Sequence, residues 1–126
     1  MIIIKNLRVS KAQHEWQVRV DRTSVLGNPF YMKDESHRDE VCDKYESYFK
    51  AMVSRAENKA WNDTRAQTFV KELRRLYKLH KTYGKLELFC WCAPKRCHAE
   101  TIKAFLESFI TEHEVYHKPC SQDCVD

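Results

Sequence analysis

Three cysteines and one histidine lie close together in residues 90–98, between a short apolar run and an amphipathic one. The segment has the sequence CWCAPKRCH, and the flanking patterns predict a strand before it and a helix after it. Thiolates and imidazoles are zinc ligands, and a helix N-terminus with neighbouring cations stabilises a reactive thiolate. The residue types therefore predict a chemically active site at this strand-to-helix junction, but they do not name a reaction.

Zinc binding is the first hypothesis for this segment. Residues two apart in a strand project from one face, so Cys90 and Cys92 can point together. Cys97 and His98 complete a set of four ligands for the tetrahedral geometry that zinc requires. Since adjacent Cys97 and His98 make a strained pair for one ion, a set of three with one ligand from elsewhere is the other arrangement. The candidates from elsewhere are His117, Cys120 and Cys124.

A reactive thiol is the second hypothesis. Cys97 begins the predicted helix beside Lys95, Arg96 and His98, and these cations and the helix end favour its thiolate. Cys97 is then the nucleophile and His98 the assisting base. A third interpretation keeps the cysteines as buried packing residues and His98 as a helix-capping residue.

A loop after the second predicted strand carries another group of residues that could bind a ligand. Arg22 can hold a phosphate or carboxylate through two hydrogen bonds, and Arg38 can add to its charge. Gly27 allows a tight turn and close approach of a ligand, and it is followed by Asn28 and Pro29. Ligands of open α/β sheets gather at the carboxyl ends of strands, so we expect this loop and the cysteine segment to line one basic cleft. The alternative is a rigid turn with solvated arginines.

Hydrophobic periodicity predicts the elements that position these residues. Strands are expected over residues 2–7, 16–20 and 86–90, the first two as a hairpin. A first helix follows a capping box at Ser36, a second ends before Gly84, and a third ends near His113. The order β-β-α-α-β-α predicts a small α/β domain in two or three layers, with about three strands flanked by helices. The domain is expected over residues 1–113, with a loosely ordered C-terminal tail over 114–126.

Composition narrows the class of protein. The 126 residues suit one domain, and the net charge of +4 is below the excess expected of a dedicated nucleic-acid binder. No apolar run approaches the length of about 20 residues that a membrane helix needs, and the apolar start at Ile2–Ile4 is too short for a signal peptide. Crowded cysteines without a signal peptide favour reduced thiols, so we expect a cytoplasmic protein.

Two further features receive structural interpretations. The basic stretch from Lys71 to Lys81 is expected to be a solvated helix face, with contact to nucleic acid as the minority interpretation. Trp91 points away from Cys90 and Cys92 in the predicted strand, so we expect it in the core, with stacking on a base as the alternative.

The two motifs together resemble the phage and bacterial family DUF4326, a domain of unknown function. The resemblance covers about residues 3–110 and rests on the Leu-Gly-Asn-Pro element and on Cys-Trp-Cys with the later Cys-His. Ala99 departs from the glycine that commonly follows Cys-His in the family, while Glu100 keeps the acidic residue. Cys42, Cys120 and Cys124 lie outside the pattern. The resemblance implies a viral or mobile-element origin and a shared site at Arg22, Gly27, Asn28, Pro29, Arg38, Cys90, Cys92, Cys97 and His98.

These observations lead to hypotheses from different classes. The first is a small cytoplasmic domain that binds an anionic, nucleotide-like ligand between the Arg22/Gly27-Asn28-Pro29 loop and the cysteine segment. If it is an enzyme, we expect a transferase or hydrolase of a nucleotide-derived substrate, with Cys97 or His98 nearest the chemistry. The alternative is a zinc-stabilised, non-enzymatic protein that contacts nucleic acid or a host protein. A third possibility places the function on a protein-binding surface, with the cysteine segment only filling the core.

Overall fold

The protein is described by a computed structural model that covers residues 1–58 and 63–121, with side chains described as far as Ile110. His117, Cys120 and Cys124, the proposed additional zinc ligands, lie outside the described side chains. The elements follow one another in the predicted order β-β-α-α-β-α, so the small α/β fold is confirmed.

Three parallel strands form the sheet: β1 (Ile2–Asn6), β2 (Gln17–Arg19) and β3 (Leu86–Cys90). Their order is β1-β3-β2, so β3 is central and parallel to both neighbours. The predicted hairpin between the first two strands is wrong. β3 is the most apolar strand and occupies the centre of the sheet, because four of its five residues are buried. Residues 7–16 lead the chain back to the end of the sheet where β1 begins, so β2 runs in the same direction as β1.

Three helices cover the sheet: α1 (Arg38–Glu57), α2 (Thr64–Tyr83) and α3 (Ala99–Ser121), with a 3-10 turn at Glu35–His37 before α1. The Asp63 side chain caps α2 by accepting from Ala66 N at 3.0 Å, and Gly84 ends α2 with a left-handed φ of 73°. None of the helices among the described residues is long and apolar enough to cross a bilayer.

Two helix ends differ from the sequence predictions. The Asp34 side chain caps the 3-10 turn by accepting from Ser36 N, so the predicted capping box at Ser36 does not form. The third helix continues past His113 to Ser121. The division into a domain over 1–113 and a tail over 114–126 otherwise stays a prediction.

The core lies between one face of the sheet and the helices. Alternate strand residues, including Ile2, Val18 and Leu88, pack with the buried faces of all three helices. On the opposite face, Glu87 pairs with Lys5 at 3.8 Å and accepts from Gln17 at 2.9 Å. The domain therefore has two layers, and the carboxyl ends of the strands meet at one edge of the sheet, where both predicted motifs begin.

Candidate functional site

A cavity of about 340 Å³ lies at the carboxyl ends of β2 and β3. Asp21 follows β2 and Trp91 follows β3, and both line it. The sequence-predicted residues that line it are Arg22, Asn28, Arg38, Cys92, Cys97 and His98, whereas Gly27, Pro29 and Cys90 are not among its lining residues. The two motifs therefore contribute to one cleft, as the position of both after parallel strands predicts.

The buried carboxylate of Asp21 links the segments that follow β2 and β3. Asp21 is 6% exposed and accepts hydrogen bonds from Arg19 at 2.5 Å, Thr23 Oγ1 at 2.6 Å and Trp91 Nε1 at 2.9 Å. Burial opposes ionisation of Asp21, but these donors outweigh it and hold the pKa of the carboxyl well below its usual range. Asp21 is thus an ionised anchor whose oxygens are occupied by protein donors.

The loop after Asp21 is held in shape by close backbone contacts. A Cβ atom on residue 27 would lie 2.3 Å from the Asp21 carbonyl oxygen, so only glycine lets the loop fold back onto this backbone. Gly27 therefore serves the packing of the loop on itself. Asn28 Oδ1 accepts from Phe30 N at 2.8 Å, which fixes the turn around Pro29, and Asn28 lines the cavity.

Three arginines line the cavity, and they differ in how far their charge is compensated. Arg38 donates to Glu35 at 2.5 and 2.9 Å, which raises the pKa of the guanidinium, and Arg96 pairs with Asp39 and Asp43. Among the described residues, no carboxylate pairs with Arg22. Its guanidinium lies over the Tyr31 ring and donates to the Phe30 carbonyl at 2.9 Å.

Arg38 and Arg96 also connect α1 to the cysteine segment. Arg38 Nη1 donates to the Arg96 carbonyl at 2.9 Å, while Arg96 reaches back to Asp39 Oδ1 at 2.9 Å. Because three of the five N–H donors of Arg38 are used in these contacts, its first role is to position the wall of the cavity.

Two buried thiols face each other beneath the cavity. Cys90 Sγ and Cys97 Sγ are 3.2 Å apart, and the two residues are 1% and 4% exposed. The hydrogen bond from Cys97, helped by the backbone N–H groups of Cys92 and Ala93, lowers the pKa of Cys90 to about 6. The same contact with Cys90, together with burial, raises the pKa of Cys97. Burial and the contact with Cys90 weigh against Cys97 as the nucleophile, and that role stays a prediction.

Cys92 is the more accessible thiol of the segment. It is half-buried and lines the cavity beside Arg38. The turn that presents it is held by the side chain of Asn6 at the end of β1, which donates to the Ala93 carbonyl at 2.5 Å.

His98 is fixed in one orientation by the backbone. Its Nε2 atom bonds the Val20 carbonyl, and its ring packs against Tyr45 with centroids 5.1 Å apart. Burial lowers the pKa of His98, so the ring is neutral near pH 7. A carbonyl only accepts, so Nε2 carries the proton and Nδ1 keeps a free lone pair. His98 lines the cavity, and Nδ1 has no hydrogen-bond partner among the described residues.

The four predicted zinc ligands do not converge in this arrangement. Cys90 and Cys97 face each other, but His98 Nε2 bonds Val20, and Cys92 faces Arg38. Within residues 1–58 and 63–110, no three histidine, cysteine or acidic side chains are grouped as a metal set. As arranged, these residues do not fit a tetrahedral zinc site, and zinc binding stays a prediction.

Several residues of the site were missed by sequence reasoning. Trp91 is not in the core: it is 48% exposed and its indole lies at the cavity, because its Nε1 is drawn to Asp21. Phe30 and Tyr31 line the cavity beside it. The aromatic residue directly after Gly-Asn-Pro was the available signal for Phe30, whereas the Asp21–Trp91 contact joins residues 70 positions apart and had no local signal.

Residues 5–108 match the family described as a domain of unknown function, DUF4326. The chain belongs to the DUF4326 family. The match includes both DUF4326 motifs and every lining residue of the cavity. No curated protein and no solved structure matches the chain.

Proposed function

We propose that the cavity binds a small anionic ligand of the nucleotide type. The observation that carries the proposal is Arg22, the cavity arginine with no carboxylate partner among the described residues, set among aromatic rings at the carboxyl edge of a parallel sheet. Arg38 and Arg96 are already neutralised by acidic neighbours, so the local excess of positive charge lies at Arg22.

The phosphate of such a ligand would bind Arg22. One N–H of its guanidinium bonds Phe30, which holds the side chain in place and leaves four donors for a phosphate or carboxylate. The N-terminus of α3 adds electrostatic attraction, although Glu100 N and Thr101 N already bond the carbonyls of Cys97 and His98.

The aromatic residues suit the base of the same ligand. Trp91 is 48% exposed and Tyr31 is 77% exposed, and both line the cavity. Arg19 lies over one face of the Trp91 ring and Arg22 over one face of the Tyr31 ring, which leaves the other face of each ring for stacking. A cavity of about 340 Å³ is near the lower limit of about 300 Å³ for small-molecule sites. A ligand of the size of a nucleoside monophosphate is therefore favoured over a dinucleotide.

The groups open to this ligand also suit transfer or hydrolysis. Neutral His98, which lines the cavity and keeps a lone pair on Nδ1, would accept a proton from an attacking water or hydroxyl group. Cys92 is the thiol nearest to solvent on the cavity wall. Free cysteines suit a reducing compartment, so we propose a cytoplasmic location for this function.

A thermal-shift screen tests the proposal. Nucleoside monophosphates are compared with the corresponding nucleosides and with inorganic phosphate, each at millimolar concentration. We expect at least one monophosphate to raise Tm by more than either fragment, because only the intact ligand contacts both Arg22 and the aromatic residues. Equal shifts from phosphate alone, or no shift from any nucleotide, would remove the support for a nucleotide ligand.

The second candidate function is a zinc-stabilised binding protein, and the close contact of Cys90 and Cys97 favours it. Elemental analysis of protein purified without chelator tests it. About one zinc per chain, lost together with the fold on chelation, would establish a structural metal. For His98 to bind this zinc through Nε2, its hydrogen bond to the Val20 carbonyl would have to break. Metal-free protein that stays folded would exclude it.

A further inference from the structure

We propose that the outward face of α2 binds the phosphate backbone of a nucleic acid. Four cations form a line on this face at spacings of three, four and three residues: Lys71, Arg74, Lys78 and Lys81. All four are exposed, and together they span about 15 Å at the α-helical rise per residue. We call these four residues the basic stripe.

The basic stripe differs from an ordinary solvated helix face in its lack of counter-charges. α2 contains six lysines and arginines against one acidic residue, Glu72, which pairs with Arg75 at 2.7 Å. Among the described residues, no carboxylate pairs with any member of the stripe. In α1, by contrast, four basic residues face five acidic ones, and Lys44 and Lys50 each pair with a glutamate one turn earlier. α2 therefore carries a net charge of +5, against +4 for the whole chain.

The composition of this face favours nucleic acid over an acidic protein. The apolar residues of α2 are turned inward, where Ala66, Phe69, Leu73 and Leu76 are buried. Protein interfaces need an apolar centre and are depleted in lysine, whereas nucleic-acid interfaces are strongly basic. A line of lysines and arginine without exposed aromatic residues contacts phosphates and reads no bases, so we infer binding with little sequence preference.

The basic stripe is separate from the cavity. No residue of α2 is among the lining residues of the cavity, and Arg22 lies in the loop after β2. Binding of a small anion in the cavity and of a polyanion on α2 are therefore independent, and either can fail without the other.

Fluorescence anisotropy with a labelled random-sequence duplex of about 20 base pairs tests the proposal. Four phosphate contacts predict a slope of about −3.6 for log K against log salt, or a loss of about 100-fold between 50 and 200 mM salt. The double variant Arg74→Gln/Lys78→Gln should weaken binding at least about 10-fold and reduce the slope by about 2. The double variant Lys44→Gln/Lys50→Gln removes the same charge from α1 and should change affinity less than about two-fold.

Three outcomes would overturn the proposal. The first is the absence of saturable binding at low salt, and the second is an equal loss in the two double variants, which would show an effect of net charge alone. The third is displacement of the duplex by polyglutamate at the same charge concentration, which would indicate an acidic protein as the partner. Arg22→Ala should bind the duplex like the wild type, which separates this result from the ligand of the cavity.

Discussion

The Tyr45 hydroxyl donates a hydrogen bond of 2.6 Å to the carbonyl oxygen of Leu26, and both residues are completely buried. The same tyrosine ring packs edge-on against His98. One residue of α1 therefore supports both halves of the candidate site: the loop that carries Arg22 and Asn28, and the start of α3.

The first prediction concerns this support. Tyr45→Phe leaves the Leu26 carbonyl without its donor in a buried position, so we expect a loss of about 1–3 kcal/mol in the free energy of unfolding. Tyr48→Phe is the matched control, because the neighbouring Tyr48 hydroxyl has no hydrogen-bond partner among the described residues. The control should change stability by less than about 0.5 kcal/mol in urea unfolding. Equal values for the two variants would show that the contact with Leu26 contributes nothing.

The two glycines of the chain provide the second prediction. Gly27→Ala places a methyl group against the Asp21 carbonyl, so the loop must move, and we expect about 2 kcal/mol or more of destabilisation together with weaker ligand binding. Gly84→Ala meets no atom within 4 Å and strains only a left-handed residue, which costs about 1–2 kcal/mol. Ligand affinity, measured alongside urea unfolding, should fall in the first variant and stay unchanged in the second. Unaltered affinity in Gly27→Ala would contradict this role of the loop.

Much of the fold and part of the site follow from local sequence patterns. The apolar runs locate all three strands, Gly84 marks the end of α2, and the rule that ligands gather at the carboxyl ends of strands places Arg22 and His98 at one cleft. The strand order did not follow, because it depends on which strand buries most surface in the finished sheet. β3 takes the centre for that reason and separates β1 from β2.

The details that decide the chemistry depend on contacts between distant residues. The sequence alone does not distinguish Arg38 from Arg22 as a cation for a ligand. In the folded chain, Glu35 and the Arg96 carbonyl accept from Arg38, whereas the charge of Arg22 is not paired with a carboxylate among the described residues. Cys97 has the local features of a reactive thiolate, yet its proximity to Cys90 and its burial reverse the expected direction of its pKa. Such pairings appear only when the chain is folded.

The third prediction concerns thiol reactivity. Cys92 is half-buried on the cavity wall, whereas Cys42, Cys90 and Cys97 are buried. Brief treatment of native protein with iodoacetamide, followed by peptide mapping, should modify Cys92 first among these four, and a bound nucleotide should slow the reaction. Modification of Cys97 at a rate equal to that of Cys92 would support Cys97 as the nucleophile and contradict the structural assignment.

The fourth prediction is a pH dependence of stability that arises from His98. Burial lowers its pKa in the folded state from the usual 6.5, so the unfolded chain binds the proton more readily. The contribution of neutral His98 to stability is therefore complete above pH 6.5 and is lost as the pH falls through the folded-state pKa. His98→Gln keeps an N–H donor for Val20 but does not titrate, so urea unfolding of the variant should show a smaller loss below pH 6.5. An unchanged pH profile in the variant would contradict the assignment.

The fifth prediction tests the central claim, that Arg22 is the cation that holds the phosphate of the ligand. Calorimetric titration of the best nucleotide from the screen is carried out on the wild type, on Arg22→Ala and on Arg65→Ala, which removes an exposed arginine from α2. Loss of charged hydrogen bonds should weaken binding about 30-fold or more in Arg22→Ala, with an unchanged unfolding curve, and less than about two-fold in Arg65→Ala. Equal affinity of Arg22→Ala and the wild type for that nucleotide would contradict the account.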